Sequence, residues 1–372
     1  MNDMVMAIKF NEAVWHDTAY LHPQLRKKVG PDFFDRVQIK SKLKAALRDP
    51  QQSLVIFQGE RRSGKSSLLR LLENDLEQDA NGRFLPLRLS WQSITTRSSM
   101  IDEILQSLSF ELDVDMPDNT VETCITSDER FINLLRTWGI DAKKTIVVCI
   151  DEFDSAIHDG NESERIALLN LVDEMARVTA LPVKFLFTLV RRPDCPTSHL
   201  LANAHIYRLR PFTPTDLDEM ITELMAWQAH LFTATIREQL FQLSGGWPYF
   251  AKLLLVCLAE GKPGADWFAA AVEKAIAHPL LEHALNHIYF SHFNEAEKGI
   301  MLLLAHQNRH LSAEDVAALT DSQKTAVSQL TNRHYLTCNR QGDVKYRIGL
   351  LKKWFPQWIQ FEEEVLSHLE NA

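Results

Sequence analysis

The sequence has no run of the roughly 18 apolar residues that a membrane-spanning helix needs, so we expect no membrane segment. Its first residues lack a basic patch followed by a long apolar stretch, and no secretory signal is predicted. Cysteine is scarce, with 5 in 372 residues, and no spacing matches a paired metal-ligand motif. Low-complexity segments and short-period repeats are missing as well. These absences predict a cytoplasmic protein whose cysteines are small buried side chains.

The composition, 45% apolar and 24% charged, is ordinary for a globular chain that folds into roughly two or three domains. The formal net charge of −9 argues against a protein whose whole surface binds nucleic acid. Residues 321–353 reverse this balance, with 7 Lys or Arg against 2 Asp. A solvated face and a specific contact surface explain this basic patch equally well.

The most informative segment begins where an apolar run ends at Gly59 and leads into an amphipathic helical pattern. Glycines there would let the backbone wrap around phosphate oxygens, and the dipole of the following helix favours the same negative charge. Lys65 would reach the β- and γ-phosphates, and the Ser66 hydroxyl would complete the shell of a Mg²⁺ ion. We call this segment the phosphate loop, and it predicts a site for ATP and Mg²⁺. Its nucleotide-binding residues are predicted to be Gly59, Glu60, Arg61, Arg62, Ser63, Gly64, Lys65, Ser66 and Ser67.

A second apolar segment, residues 145–150, ends in two carboxylates, Asp151 and Glu152. Asp151 would hold the Mg²⁺ ion, commonly through water, and Glu152 would orient and deprotonate the attacking water. Combined with the phosphate loop, this pair predicts slow ATP hydrolysis with Lys65 and Glu152 as catalytic residues.

Two arginine pairs accompany these segments. Arg191 and Arg192 follow the apolar residues 183–190, and ligands of parallel sheets sit beyond the carboxyl ends of strands. Arg191 would therefore sense the γ-phosphate as a third catalytic residue, and a solvated arginine pair is the alternative. Arg61 and Arg62 would face phosphate or a neighbouring subunit, and surface exposure explains them equally well.

Strand and helix patterns alternate over the first half of the chain, which predicts a parallel sheet with helices on both faces. The pattern becomes helical after Pro211, and a separate stretch then places three helices before a β-hairpin, the order of a winged helix. The fold class is therefore an α/β P-loop core with a helical lid and a C-terminal winged helix. The predicted strands of the core are residues 53–58, 84–91, 145–150, 183–190 and 206–210. The predicted domains are an N-terminal arm (1–30), the core (31–210), the lid (211–277), the winged helix (278–361) and a tail (362–372).

Together these segments resemble the STAND branch of the AAA+ P-loop ATPases and the related archaeal-type and origin-initiator ATPases. The family pattern Gly-Arg-x-x-Gly-Lys-Ser/Thr-Ser-Leu is similar to residues 60–68. The stretch that ends at Arg36 is similar to the family's Phe-x-Gly-Arg entry, which borders the adenine, although Asp35 replaces the glycine. The junction at Gly246, Trp247 and Pro248 looks like the glycine–any–proline motif of the lid, which packs against the nucleotide. Taken without the resemblance, this junction is simply a boundary between two helices.

The resemblance implies an ATP-gated switch that forms homo-oligomers and controls an effector, here a separate polypeptide. Origin initiators carry a sensor arginine where this chain has Pro248, and this difference favours the STAND branch. An arginine acting in trans is expected for the family. Arg177 is one candidate, and its place late in a helix is explained equally well by the helix dipole.

An alternative hypothesis is a DNA-acting ATPase, such as a loader, a transposition regulator or an origin binder. Its winged helix would contact DNA phosphates from the third helix and the wing. The residues predicted to do so are Lys324, Arg333, Arg340, Lys345 and Arg347. A third hypothesis is a scaffold that binds nucleotide without hydrolysing it.

Overall fold

The computed structural model describes most of the chain, and the described part divides into two compact units, residues 37–210 and 211–355. The predicted arm and tail lie outside the described residues, as do Arg36, Arg191 and Arg192. The described residues are 37–90, 94, 96–116, 120–125, 127–154, 161–178, 181–190, 204–226, 228–306 and 310–355.

The first unit contains a five-stranded sheet and helices connecting its strands, as the alternating pattern predicts. The strands are β1 (Leu54–Gln58), β2 (Phe84–Leu89), β3 (Thr145–Ile150), β4 (Val183–Leu189) and β5 (His205–Arg208). The helices are α1 (Val37–Arg48), α2 (Lys65–Glu77), α3 (Arg97–Leu112), α4 (Thr120–Ile125), α5 (Asp128–Ala142) and α6 (Glu162–Arg177). All five predicted strands are present.

The sheet is parallel throughout, in the order β2-β3-β4-β1-β5. Strand β4 therefore lies between β1, which leads into the phosphate loop, and β3, which leads to the two carboxylates. In this register Thr188 on β4 pairs with Phe57 on β1, and the preceding Phe187 pairs with Ile150 at the end of β3. The last residues of β4 are consequently flanked by both halves of the predicted site.

The sheet is covered on both faces, which explains why β1, β3 and β4 are almost continuously apolar. Phe153 stacks on Phe187 within the core of this unit, with ring centroids 4.1 Å apart. The covering helices begin where local capping favours them, since side chains of Thr96, Ser127 and Asn161 accept backbone N–H groups of α3, α5 and α6. Sequence and tertiary packing therefore agree on this layered core.

The second unit begins with helices and ends with a small sheet. The helices are α7 (Pro214–Leu224), α8 (Ala234–Ser244), α9 (Pro248–Glu260), α10 (Trp267–Ile276), α11 (Pro279–His292), α12 (Glu295–His306), α13 (Ala313–Ala318) and α14 (Asp321–Asn332). Strands β6 (His310–Leu311), β7 (Leu336–Cys338) and β8 (Val344–Tyr346) form an antiparallel sheet in the order β6-β8-β7. The predicted three helices and hairpin are present as α12, α13, α14, β7 and β8, and the sequence patterns missed the two-residue strand β6.

One hydrophobic cluster runs through the second unit, from Phe212 before α7 to Phe355 near its end. Trp247 at the Gly-Gly junction packs on Tyr335 beside β7, with ring centroids 5.1 Å apart. Gly246 has φ +78°, and a Cβ there would lie 2.4 Å from the Phe212 carbonyl oxygen, so glycine is required. The predicted lid and winged-helix segments thus share one core, and the boundary near residue 278 stays a prediction.

The cysteine prediction is confirmed for Cys124, Cys149 and Cys257, which are buried free thiols, whereas Cys338 is exposed at the end of β7. Cys195 lies outside the described residues. Within the part of the chain that the structure describes, no helix is long and apolar enough to cross a bilayer.

Candidate functional site

The phosphate loop connects β1 to α2 in the shape that its two glycines permit. Gly64 has φ +91°, a left-handed conformation that favours glycine, and it directly precedes the first turn of α2. A Cβ on Gly59 would lie 2.8 Å from Ser63 Oγ and 3.1 Å from the Leu209 carbonyl oxygen. The Gly59 N–H also donates to the Leu189 carbonyl at the end of β4, at 3.0 Å. The loop is therefore anchored to the neighbouring strand ends.

Lys65 is the first residue of α2, and its side chain folds back over the loop. Its Nζ donates to the carbonyl oxygens of Gly59 at 2.9 Å and Glu60 at 3.1 Å, and the residue is only 6% exposed. Burial lowers the pKa of Lys65, and the negative charges of Asp154, Asp151, Glu152 and Glu60 oppose that shift, in that order. A cation is thus held beneath the loop among nearby carboxylates.

The N-cap residue of α2 is Gly64, which has no side chain to accept a hydrogen bond from the first backbone N–H groups of the helix. Ser66 and Ser67 lie in this first turn and are partly exposed. A helix N-terminus without a capping side chain, next to a buried lysine, suits an anion.

The two carboxylates predicted from the sequence follow β3 and contact β4 through Thr188. The Thr188 hydroxyl, which is fully buried, donates to Asp151 Oδ1 and accepts the backbone N–H of Glu152 at 2.8 Å. Glu152 has φ +52°, which is uncommon for a residue with a side chain. Thr188 therefore fixes both residues, and sequence reasoning missed it. The sequence signal that could have identified Thr188 was its hydroxyl group, since the residues beside it at the end of β4 are apolar.

Asp154 is a further acidic residue of the site that the sequence analysis did not select. It is buried, its Oδ2 accepts the Val190 N–H at 3.2 Å, and its charge has the largest raising effect on the pKa of Lys65. Its Oδ1 is buried and has no hydrogen-bond partner among the described residues. The sequence signal for Asp154 was its spacing of three residues from Asp151, because a helical turn after β3 places residues at that spacing on the same face.

Arg61 of the phosphate loop forms an ion pair with Glu152. Its Nη1 lies 2.9 Å from Glu152 Oε1, and the two side chains are 17% and 20% exposed. This contact leaves little of the Arg61 side chain open to solvent, and whether Arg61 faces phosphate or a neighbouring subunit stays a prediction. Arg62 has φ +67° and is partly exposed.

A second buried carboxyl, Glu73, lies on α2 beneath the site. Burial raises the pKa of Glu73 to about 7, because the opposing effect of Arg88, whose Nη1 lies 3.2 Å from Glu73 Oε2, is smaller. The charges of Asp151, Arg70 and Glu77 also act on this carboxyl. The cluster links α2, β2 and β3 below the strand ends.

The other residues predicted to act on the nucleotide lie outside the described residues, in the second unit or at the end of a helix of the first unit. Arg36 and Arg191 lie outside the described residues, so their roles stay predictions. Pro248 belongs to the second unit, where it is the first residue of α9. Arg177 is more than half exposed and pairs with Asp173 of its own helix at 2.6 Å. Its suggested role in trans stays a prediction.

Two of the five predicted DNA-contacting residues make contacts within the second unit. Arg333 is largely buried, with Nη1 2.8 Å from Glu297 Oε1, and its guanidinium lies over the rings of Phe293 and Tyr335. Arg347 donates through Nε to the Gly245 carbonyl at 3.1 Å and is half-buried. These tertiary contacts engage the Arg333 guanidinium and Arg347 Nε, and contact of either arginine with DNA stays a prediction. Lys324, Arg340 and Lys345 are exposed.

Comparison with known proteins supports the reading of the first unit. Residues 38–192 match the model of the KAP family P-loop domain, a stretch that includes strands β1 to β4, the phosphate loop and the two carboxylates. No curated protein sequence is detectably similar to the chain.

Solved structures resemble the chain over most of its length. The Walker-type ATPase PABY2304 of Pyrococcus abyssi is 16% identical, with a TM-score of 0.58 over 88% of this chain and 97% of that one. The ORC2 protein of Aeropyrum pernix, solved in ADPNP and ADP complexes, is 12% identical, with a TM-score of 0.56 over 87% of this chain and 93% of that one. At such low identity the likeness shows the fold alone, a parallel-sheet P-loop NTPase core that matches the cores of AAA+ ATPases.

Proposed function

We propose that the protein is a regulatory switch that binds ATP and hydrolyses it slowly. The observation that carries this proposal is the arrangement around Lys65, whose amine is held by two loop carbonyls while Asp151 and Glu152 lie close enough for their charges to act on it. A triphosphate bound in the loop would meet a buried cation on one side and two fixed carboxylates on the other. This arrangement suits phosphoryl transfer to water.

The donor set fits Mg²⁺. Ser66 in the first turn of α2 and Asp151 after β3 offer the hard oxygen ligands that this ion prefers. Across the described residues, no three His, Cys, Asp or Glu side chains are grouped as a metal site, so the ion would take its other ligands from phosphate and water. When bound, Mg²⁺ would neutralise charge that develops on the phosphate oxygens.

The protein's own residues would perform the remaining steps. Lys65 would leave the carbonyls of Gly59 and Glu60 and bind the β- and γ-phosphates. Glu152 would accept a proton from the attacking water, and Thr188 would hold the Glu152 backbone and the Asp151 carboxylate in place. Turnover by the single chain would be slow, because positioning limits phosphoryl transfer, and a partner that completes the site would accelerate it.

The second unit would transmit the nucleotide state. We infer that α12, α13 and α14, together with the three-stranded sheet, form a winged helix, and that the preceding helices form a lid. The shared hydrophobic cluster and the Trp247–Tyr335 contact support movement of these two segments as one body. ATP-dependent homo-oligomerisation and control of a separate effector, as in STAND-type switches, would follow from such movement.

A second candidate function is DNA binding. The exposed side chains of Lys324, Arg340 and Lys345 on α14 and the hairpin favour it. If it is correct, replacing these three residues by glutamine should lower affinity for any duplex and flatten the dependence on salt. Arg333 and Arg347 should be left intact, since they serve the fold.

One experiment separates the candidates. The molecular mass in solution is measured with ADP and with ATP, each with and without duplex DNA, together with the rate of phosphate release. Assembly that follows ATP and ignores DNA supports the switch, and assembly or turnover that requires DNA supports the second candidate. Failure of the wild-type protein to bind ATP would overturn both.

A further inference from the structure

The ion pair between Arg61 and Glu152 joins the phosphate loop directly to the carboxylate proposed as the base. The backbone fixes the positions of both residues. Before Arg61, the Gly59 N–H donates a hydrogen bond to the Leu189 carbonyl of β4, and after it Arg62 adopts a left-handed conformation. Glu152 is held at its N–H by Thr188. The ion pair therefore joins two residues whose backbones are fixed, and either side chain can leave the pair by rotation alone.

Arg61 also carries an uncommitted donor. Its Nε is buried and has no hydrogen-bond partner among the described residues, whereas its Nη1 is bonded to Glu152. A guanidinium offers five donors in a planar fork, and it binds a phosphate as readily as a carboxylate. A buried donor without a partner is costly, so a ligand that satisfies it is favoured.

The position of the pair indicates which ligand this is. The Glu60 carbonyl, directly before Arg61 in the chain, accepts a hydrogen bond from Lys65 Nζ at 3.1 Å, and Lys65 is the residue that would reach the β- and γ-phosphates. Arg61 is therefore presented beside the end of the triphosphate that ADP lacks. A γ-phosphate carries more negative charge than one carboxylate and would compete with Glu152 for the guanidinium.

We propose that Arg61 exchanges partners, pairing with Glu152 when no γ-phosphate is present and with the γ-phosphate when ATP binds. This inference rests on the proposed function and deepens it. ATP, but not ADP, would release Glu152 to act on water. Arg61 would thus distinguish triphosphate from diphosphate and position the Glu152 carboxylate within a single chain.

A double-mutant cycle tests the exchange. Affinities for ADP and for the non-hydrolysable analogue ADPNP, each with Mg²⁺, are measured for wild type, Arg61→Gln, Glu152→Gln and the double variant. Arg61→Gln should weaken ADPNP binding roughly ten- to a hundredfold and leave ADP binding within about twofold, as expected for loss of a charge-assisted bond. Glu152→Gln should strengthen ADPNP binding several-fold, because Arg61 no longer has to leave a charged partner.

The double variant decides the question. Removing a carboxylate near a triphosphate also lowers repulsion, and this effect would persist without Arg61. If partners are exchanged, the gain from Glu152→Gln largely disappears in the Arg61→Gln background. A gain that persists in full, or equal weakening of ADP and ADPNP by Arg61→Gln, would overturn the proposal and indicate a structural role.

Two controls keep the result interpretable. Arg97→Gln breaks a partly buried ion pair with Asp128 in the same unit and should not alter the ratio of the two affinities. Arg61→Lys keeps the charge but loses the fork, and it should recover part of the ADPNP affinity. If the wild-type protein binds neither nucleotide, the proposed function fails first, a result distinct from binding without discrimination.

Discussion

Thr188 lies on β4 and Asp151 directly follows the adjacent strand β3, and the threonine hydroxyl donates to the aspartate carboxylate while accepting the N–H of Glu152. One buried hydroxyl therefore sets the geometry of the proposed metal ligand and of the proposed base. The strand order makes this contact possible, because β4 lies directly beside β3.

Replacing Thr188 by valine keeps the shape of the side chain and removes the hydroxyl. We expect ATP hydrolysis to fall roughly ten- to a hundredfold, since the base loses its orientation, while nucleotide affinity changes little. Single-turnover phosphate release and equilibrium binding measure the two effects. Thr188→Ser keeps the hydroxyl and should stay within about threefold of wild type, and equal loss in both variants would argue against this role.

Replacing Lys65 by methionine removes the charge beneath the phosphate loop and keeps an unbranched side chain. ATP affinity should fall by at least roughly a hundredfold, because the buried cation is lost. Stability should change little, since folding no longer has to desolvate the amine whose pKa burial lowers. Calorimetry of ATP binding and a thermal melt test both parts, and retained ATP affinity would contradict the site assignment.

Glu73 should make stability depend on pH. Its pKa is raised from 4.5 to about 7 in the folded protein, so the folded state holds more protons than the unfolded chain between these values. The free energy of unfolding should therefore fall as pH rises through this window. Glu73→Gln should match wild type near pH 5 and exceed its stability by roughly 1–3 kcal/mol at pH 8. Urea unfolding across this range measures the difference, and parallel curves for the two proteins would contradict the assignment.

Arg333 should matter for stability rather than for DNA. Arg333→Met leaves Glu297, which is 1% exposed, without its cation and should cost roughly 3–5 kcal/mol. Adding Glu297→Gln should recover part of this loss, because no buried charge remains unpaired. Lys345→Met, at an exposed position, should change the free energy of unfolding by less than roughly 0.5 kcal/mol. Urea denaturation compares the three, and unchanged stability of Arg333→Met would contradict this structural role.

Local chemistry made the phosphate loop predictable. Gly64 adopts the left-handed conformation that few other residues tolerate, and Lys65 must directly follow it to close over the loop. The apolar strand before Asp151 and Glu152 could be predicted for a similar reason, since a central parallel strand is buried on both faces. The order of helices and hairpin in the second unit also follows from contiguous patterns.

The sequence by itself determined the strands, the loop and the two carboxylates, because each depends on residues adjacent along the chain. Tertiary structure alone decided that Thr188 meets Asp151, that Arg61 pairs with Glu152, and that Arg333 is buried against Glu297. These contacts join residues between 36 and 91 positions apart. Strand order and helix packing, which no local pattern specifies, select the partner of each polar group.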